Sequence, residues 1–156
     1  MIVTQKMQYA LRAIFELAKR GTEEPVKTVE IAESQAIPPR FLEVIMARLA
    51  RGGLVASKRG FYGGYTLARP ANQISVGDLF RSLGEPNHIE ECTACTNLKT
   101  CPFGGDCVFI HLWEEVYDAM NSVYDRTTIQ DLIDRDAGNK DRSKPLSKRW
   151  DSSVAK

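Results

Sequence analysis

Apolar residues recur every three to four positions at Met7, Ala10, Leu11, Ile14, Leu17 and Ala18, the spacing of one buried helix face. Thr4 offers a cap for this helix and Gly21 a stop. After a turn over 22–25, Thr28 is expected to cap a short second helix, with Glu30 suiting its dipole and Ile31 and Ala32 facing inward. A tight turn at 35–37 leads to Pro38 and Pro39, which fit the first turn of a third helix. Its buried stripe is Leu42, Ile45, Met46 and Leu49, and Gly52-Gly53 ends it. The period then shortens to that of two strands, 54–57 and 65–67, around the tip Lys58-Arg59-Gly60-Phe61-Tyr62-Gly63-Gly64. Ser75 and Asp78 form a capping-box signature for a fourth helix carrying Val76, Leu79, Phe80 and Leu83, stopped by Gly84 and Pro86. A long helix over 108–126 follows, striped by Phe109, Leu112, Trp113, Val116, Met120, Val123 and Tyr124. Thr128 and Asp131 repeat the capping box before Ile129, Leu132 and Ile133.

Helix, short helix, tight turn, longer helix, hairpin is the order of a winged helix-turn-helix. The expected fold is mainly α with a small β-hairpin wing: a winged helix-turn-helix domain (1–84), a cysteine-rich loop (85–107), a long helix and a short C-terminal helix (108–135), and a polar tail (136–156). With its stripe buried, the third helix displays Arg40, Glu43, Ala47 and Arg51. Arginine bonds guanine edges or phosphate, and glutamate accepts from the cytosine amino group. Lys58 and Arg59 stand on a slim tip whose glycines allow close approach to a groove. The same periodicity also fits a helical domain whose polar face meets only water; the basic hairpin tip favours the DNA reader.

Charge sharpens this picture. Residues 1–70 hold 11 Lys+Arg against 6 Asp+Glu, net +5; residues 71–135 hold 4 against 11, net −7; residues 136–156 hold 6 against 3, net +3. The overall net charge of +1 excludes a uniformly basic coat protein, while the basic front suits a polyanion. With 43% hydrophobic residues a packed core is expected, and no apolar run approaches the roughly 18–20 residues that span a bilayer. The opening residues, with Lys6 and Arg12 in an amphipathic pattern, form no signal-peptide apolar region, so a cytoplasmic protein is expected.

All four cysteines, Cys92, Cys95, Cys101 and Cys107, crowd one segment, and the last three are spaced C-x5-C-x5-C. Thiolates are soft ligands for iron–sulfur clusters and zinc. Equal gaps in a loop with Pro102, Gly104 and Gly105 let three sulfurs converge on one object. A zinc ribbon usually needs two C-x2-C pairs and only Cys92/Cys95 qualifies, although structural zinc, free thiols and a disulfide stay open on spacing alone. No general acid–base set accompanies the cysteines, so no enzyme is expected.

The opening Thr4…Tyr9-Ala10-Leu11-Arg12-Ala13, with Phe41-Leu42-Glu43, Leu49, Gly53-Leu54-Val55, Arg59-Gly60, Gly63-Gly64-Tyr65 and Leu67, resembles the Rrf-two family of bacterial winged-helix regulators. The likeness continues through Ile74-Ser75-Val76-Gly77-Asp78, the cysteine loop and the long helix, and points to the iron–sulfur-sensing branch of IscR, NsrR and RirA types. The resemblance implies a homodimer held largely by the helix at 108–126, bound to near-palindromic operator DNA. It implies cluster ligation by Cys95, Cys101 and Cys107, with [4Fe–4S] favoured over [2Fe–2S]. It places base contacts at Glu43 and Arg59, and the wider DNA-facing set is Thr28, Pro39, Arg40, Glu43, Lys58, Arg59, Gly63 and Gly64. Arg40 stands where some relatives carry serine. The fourth ligand is open: Gln8 replaces the carboxylate of some relatives, His111 lies one position beyond the histidine of others, and Cys92, a non-protein ligand and, more weakly, His88 remain.

Overall fold

The Thr4 hydroxyl accepts from the Met7 N–H at 3.2 Å and so starts helix α1 (Gln5–Arg20), which Gly21 ends at φ +89°. The computed structural model describes residues 3–21, 24–84 and 108–138. Within them lie six α-helices and a two-stranded antiparallel hairpin, a winged-helix fold. The cysteine loop at 85–107, with Pro86, His88 and the four cysteines, lies outside the described residues, as does the chain beyond 138 with Trp150.

Helix α2 is Thr28–Gln35 and α3 is Pro39–Arg51. Thr28 does not cap α2: Lys27 holds the cap position, and no side-chain cap bond forms. The reason lies upstream. Val26 exchanges two 2.9 Å backbone bonds with Tyr65, so extended chain persists to Lys27 and Thr28 has already turned into the helix. Between α2 and α3 the chain turns at Ala36, a left-handed residue at φ 48°. That conformation costs an L-residue roughly 1–2 kcal/mol, here offset by the Ile37 amide donating back to the Ala32 carbonyl at 2.9 Å. Pro39 opens α3 without wasting an amide.

The hairpin pairs β1 (Val55–Lys58) with β2 (Gly64–Leu67), from Val55↔Leu67 to Lys58↔Gly64. Strand β1 begins one residue later than the sequence pattern predicts, because the Leu54 amide is spent on the Leu49 carbonyl at the end of α3 (3.0 Å). A 3-10 turn (Ala71–Gln73) precedes α4 (Val76–Leu83). The capping box of α4 is complete: Asp78 N–H donates to Ser75 Oγ and Ser75 N–H to Asp78 Oδ2, each at 3.1 Å.

Helix α5 (Val108–Arg126) crosses α4, stacking Tyr124 on Phe80 with ring centroids 4.5 Å apart. Helix α6 (Ile129–Gly138) turns back onto α1. It continues beyond residue 135, where the pattern sets the start of a polar tail, and Asp136 in its last turns pairs with Lys19 of α1 at 3.0 Å. The second capping box also forms, Thr128 and Asp131 exchanging bonds of 2.8 and 3.1 Å. The starts of α4 and α6 are stitched together by Val76 N–H to Thr127 O and Ile129 N–H to Ile74 O, both 2.9 Å. Met7, Ile14 and Leu17 of α1, the α3 stripe, Leu54, Leu67, Ile74, Leu79, Leu83 and Ile129 share one core, which holds no polar residue among the described ones.

Candidate nucleic-acid interface

Burying Leu42, Ile45, Met46 and Leu49 forces the opposite face of α3 outward, and Arg40, Glu43, Ala47 and Arg51 are all exposed on it. Val44 lies on the same face at helical spacing from Arg40 and Ala47 and is 57% exposed. Sequence reasoning passed over it, although a valine outside the buried stripe was a visible signal; its methyls suit a thymine methyl in a major groove. Arg40 and Glu43 make no ion pair among the described residues, so both heads are available for a ligand.

The wing supplies the second surface. Its tip is a four-residue turn closed by Gly63 N–H to Gly60 O at 2.9 Å, with Gly60 at φ +111°. Lys58 and Arg59 stand exposed at its base and enter no ion pair among the described residues. Gly63 and Gly64 are only partly exposed, and close packing explains them: a side chain at Gly64 would strike the Val26 carbonyl, and one at Gly63 the Lys58 carbonyl. Thr28 is likewise half-covered, whereas Pro39 is exposed beside Arg40. The structure therefore presents Pro39, Arg40, Glu43, Lys58 and Arg59 openly and uses Gly63 and Gly64 to shape the wing.

Other charges of the basic front are consumed internally. Arg20 joins Glu16 at 2.7 Å and Glu30 at 3.1 Å, and Gln35 donates to Glu16 at 2.7 Å, locking α2 onto α1. Partial burial pushes the Glu16 carboxyl up, but bonds from Arg20, Gln35 and Ser34 and the Arg20 charge prevail and hold it below its ordinary value. At the α4–α5 crossing Arg81 bridges Asp78 (2.9 Å) and Asp125 (2.7 Å), while Arg69 adds a 3.3 Å contact to Asp78. Burial pushes Asp78 up too, and the Arg81 and Ser75 hydrogen bonds with the two guanidinium charges bring it below the ordinary range.

Of the predicted metal ligands only His111 falls within the described residues. It occupies the first turn of α5 with its side chain 83% exposed, 3.4 Å from the Glu114 carboxylate. Among the described residues no group of three His, Cys, Asp or Glu side chains is placed to hold a metal ion. Leu83, just before the cysteine segment, is anchored firmly. Its carbonyl accepts from Arg48 of α3 at 2.7 Å and from Lys6 of α1 at 3.2 Å. Helix α5 exposes Phe109, Leu112, Trp113, Val116 and Val123, each 42–54% accessible, along one side. Among the described residues no helix is long and apolar enough to cross a membrane.

Comparison with known proteins accounts for this arrangement. The family model Rrf2, described as an iron-dependent transcriptional regulator, matches residues 3–135. The chain is 34% identical over 135 residues to a putative HTH-type transcriptional regulator of Haemophilus influenzae, covering 86% of this chain and 88% of that one. It is 34% identical over 133 residues to the HTH-type transcriptional regulator IscR of Pectobacterium atrosepticum, covering 85% and 79%. Among solved structures it is similar to T. potens IscR (TM-score 0.70, 32% identity, 95% and 96% covered) and to CymR, the global cysteine regulator of B. subtilis (TM-score 0.68, 31% identity, 85% and 95% covered). These relatives are regulators and not enzymes, and the chain belongs with them to the Rrf2 family of transcriptional regulators.

Proposed function

We propose that this regulator is a cytoplasmic homodimer that binds operator duplex through α3 and the wing, with an affinity set by an iron–sulfur cluster on Cys95, Cys101 and Cys107. The observation that supports the DNA reading most directly is charge allocation. Arg20, Arg69 and Arg81 are committed to carboxylates within the fold, while Arg40, Lys58 and Arg59 stand open on α3 and the wing. In this reading Arg40 and Glu43 contact base edges in the major groove, Val44 adds an apolar contact, Arg59 enters the neighbouring minor groove and Lys58 engages phosphate. The exposed apolar side of α5 supports a second copy of the chain as its cover, since surfaces of this kind are rare on monomers. Two-fold pairing would then set two recognition helices against two half-sites.

The donor set fits a cluster: three evenly spaced thiols kept reduced in the cytoplasm are soft ligands, and the family is described as iron-dependent. Cys92 and the exposed His111 are the candidates for a fourth ligand, and [4Fe–4S] is favoured over [2Fe–2S]. When bound, the cluster supplies a site that iron supply, oxidation or nitric oxide can alter. The chain's own residues supply the relay. The Leu83 carbonyl, at the root of the cysteine segment, receives Arg48 from the recognition helix and Lys6 from α1, so a displaced root moves α3. A tenfold affinity change needs only about 1.4 kcal/mol, the scale of one or two such bonds.

The test is purification without oxygen, iron and sulfide assay with a visible and Mössbauer spectrum, and duplex selection from a random pool followed by titration with and without the cluster. Cluster-dependent affinity for a near-palindromic sequence is expected. Equal affinity of both forms removes the sensor and leaves the DNA reader; zinc in place of iron makes the site structural.

A further inference from the structure

Phe61 and Tyr62 are the two central residues of the wing-tip turn, and each is 82% exposed, the most open large apolar side chains on the described surface. They do not dangle. Their rings meet edge to face with centroids 5.1 Å apart at 87°. Lys27, at the start of α2, sets its ammonium 5.2 Å from the centre of the Phe61 ring. The turn hydrogen bond, the left-handed Gly60 and the crowded Gly63 fix the backbone beneath them. The wing therefore carries a paired aromatic apex, with Lys27 against the Phe61 ring and Lys58 and Arg59 exposed just before it in the chain.

We propose that Phe61 and Tyr62 form an apolar wedge that enters the minor groove of duplex DNA and opens a base step, bending the duplex. This rests on the DNA reading above. An aromatic apex alone would suit a protein partner or an unpaired strand equally well. The surrounding cations argue for a polyanion. The slimness of a two-residue tip suits a groove only about 6 Å wide, and α3 is the element sized for the major groove. Apolar side chains inserted at a step unstack it and kink the duplex, with flanking cations neutralising the phosphates drawn together by the bend. The preference such a wedge confers is for readily unstacked pyrimidine–purine steps, sequence information that needs no hydrogen bond to a base.

The test starts with duplexes selected from a random pool by the full-length protein, prepared without oxygen. Phe61→Ala/Tyr62→Ala and Phe61→Leu/Tyr62→Leu are then compared with the parent by affinity, by the bend angle from energy transfer between end labels, and by salt dependence. Both pairs should melt like the parent, because the replaced side chains are exposed. The alanine pair should lose about tenfold or more in affinity and most of the bend, with an unchanged salt slope, since no charge is removed. The leucine pair should keep most of the bend. Parental affinity and bend in the alanine pair overturn the wedge while sparing the DNA reading. So does a leucine pair as weak as the alanine pair, or tighter parental binding to the separated strands that the alanine pair loses. Failure of the parent to select any duplex overturns both.

Discussion

Replacing Ile129 with alanine tests whether the long helix is welded to the DNA-reading body. Ile129 is fully buried although it lies beyond α5, and its amide is tied to the Ile74 carbonyl. The substitution leaves that backbone bond and the Thr128–Asp131 capping box in place. What is lost is three buried carbons, about 2.4 kcal/mol at roughly 0.8 per methylene, plus a cavity term that brings comparable substitutions to about 2–5 kcal/mol. For a chain of this size each kcal/mol lowers the midpoint by roughly 2–4 °C, so a fall of about 4–20 °C is expected. Thermal unfolding followed by circular dichroism measures it, at several protein concentrations to separate any dimer contribution. Leu112→Ala, on the exposed side of α5, serves as the comparison and should not lower the midpoint extrapolated to high dilution. In the proposed dimer, operator affinity should also fall with Ile129→Ala, because a loosened joint would no longer hold α5 in fixed relation to α3. A shift under about 2 °C would refute the weld, since burial at this site could not then be contributing its usual share.

Val116→Asp, in the middle of the apolar side of α5, should convert a dimer to a monomer in sedimentation at micromolar concentration and weaken operator binding at least about a hundredfold; an unshifted dimer would place the interface elsewhere. Acid should unfold the protein through Glu16, Asp78 and Asp131, whose folded values lie below ordinary ones of 4.5, 3.8 and 3.8. Depressed carboxylates contribute stability that is full above those ordinary values and is lost as pH falls through the folded ones, so the melting midpoint should drop between pH 4.5 and the acid limit, and Asp78→Asn should flatten that decline. Arg59→Ala should weaken binding to selected operator more than to random duplex; a uniform loss makes Arg59 a phosphate contact. Gly64→Ala should destabilise the wing by about 1–3 kcal/mol through collision with the Val26 carbonyl, seen as faster amide exchange at Tyr65.

Element order and the exposed face of α3 are legible in the sequence because they rest on local rules. The α1 and α3 stripes follow from 3.6-residue periodicity, and both capping boxes form as their spacing predicts. Misjudged features depend on contacts distant in sequence. Thr28 has a capping side chain, but the Val26–Tyr65 bridge sets the helix start one residue away. The tail boundary at 136 was drawn from polarity, whereas Lys19, more than a hundred positions earlier, holds Asp136 in a continuing helix. Gly63 and Gly64 are needed for packing whatever they do toward DNA, Gly63 sparing the Lys58 carbonyl of the wing and Gly64 the Val26 carbonyl ahead of α2. Reading outward faces by charge also passes over apolar residues that fall outside the buried stripe, such as Val44 on α3.

The two charge regions of the chain acquire a joint meaning once folded. Arg40, Arg51, Lys58 and Arg59 are exposed on α3 and the wing, while α5 exposes Glu114, Glu115, Asp118 and Asp125 against one arginine, Arg126. Asp125 is neutralised by Arg81 at the α4 crossing, and Glu114 lies 3.4 Å from His111. Under the proposed function a duplex near α5 would meet mostly like charge, and one near α3 and the wing mostly opposite charge. Screening limits each pair to about 8–10 Å at physiological salt, but the sum over a whole face still orients an encounter. The orientation costs the fold little, because the acidic side chains lie in water and the internal pairs are few. A net charge of +1 thus conceals an uneven distribution, and the exposed apolar strip on α5 lies among acidic residues that would repel a polyanion. The proposed function therefore assigns copy-to-copy contact to the apolar strip of α5 and DNA contact to α3 and the wing, two separate surfaces of one small domain.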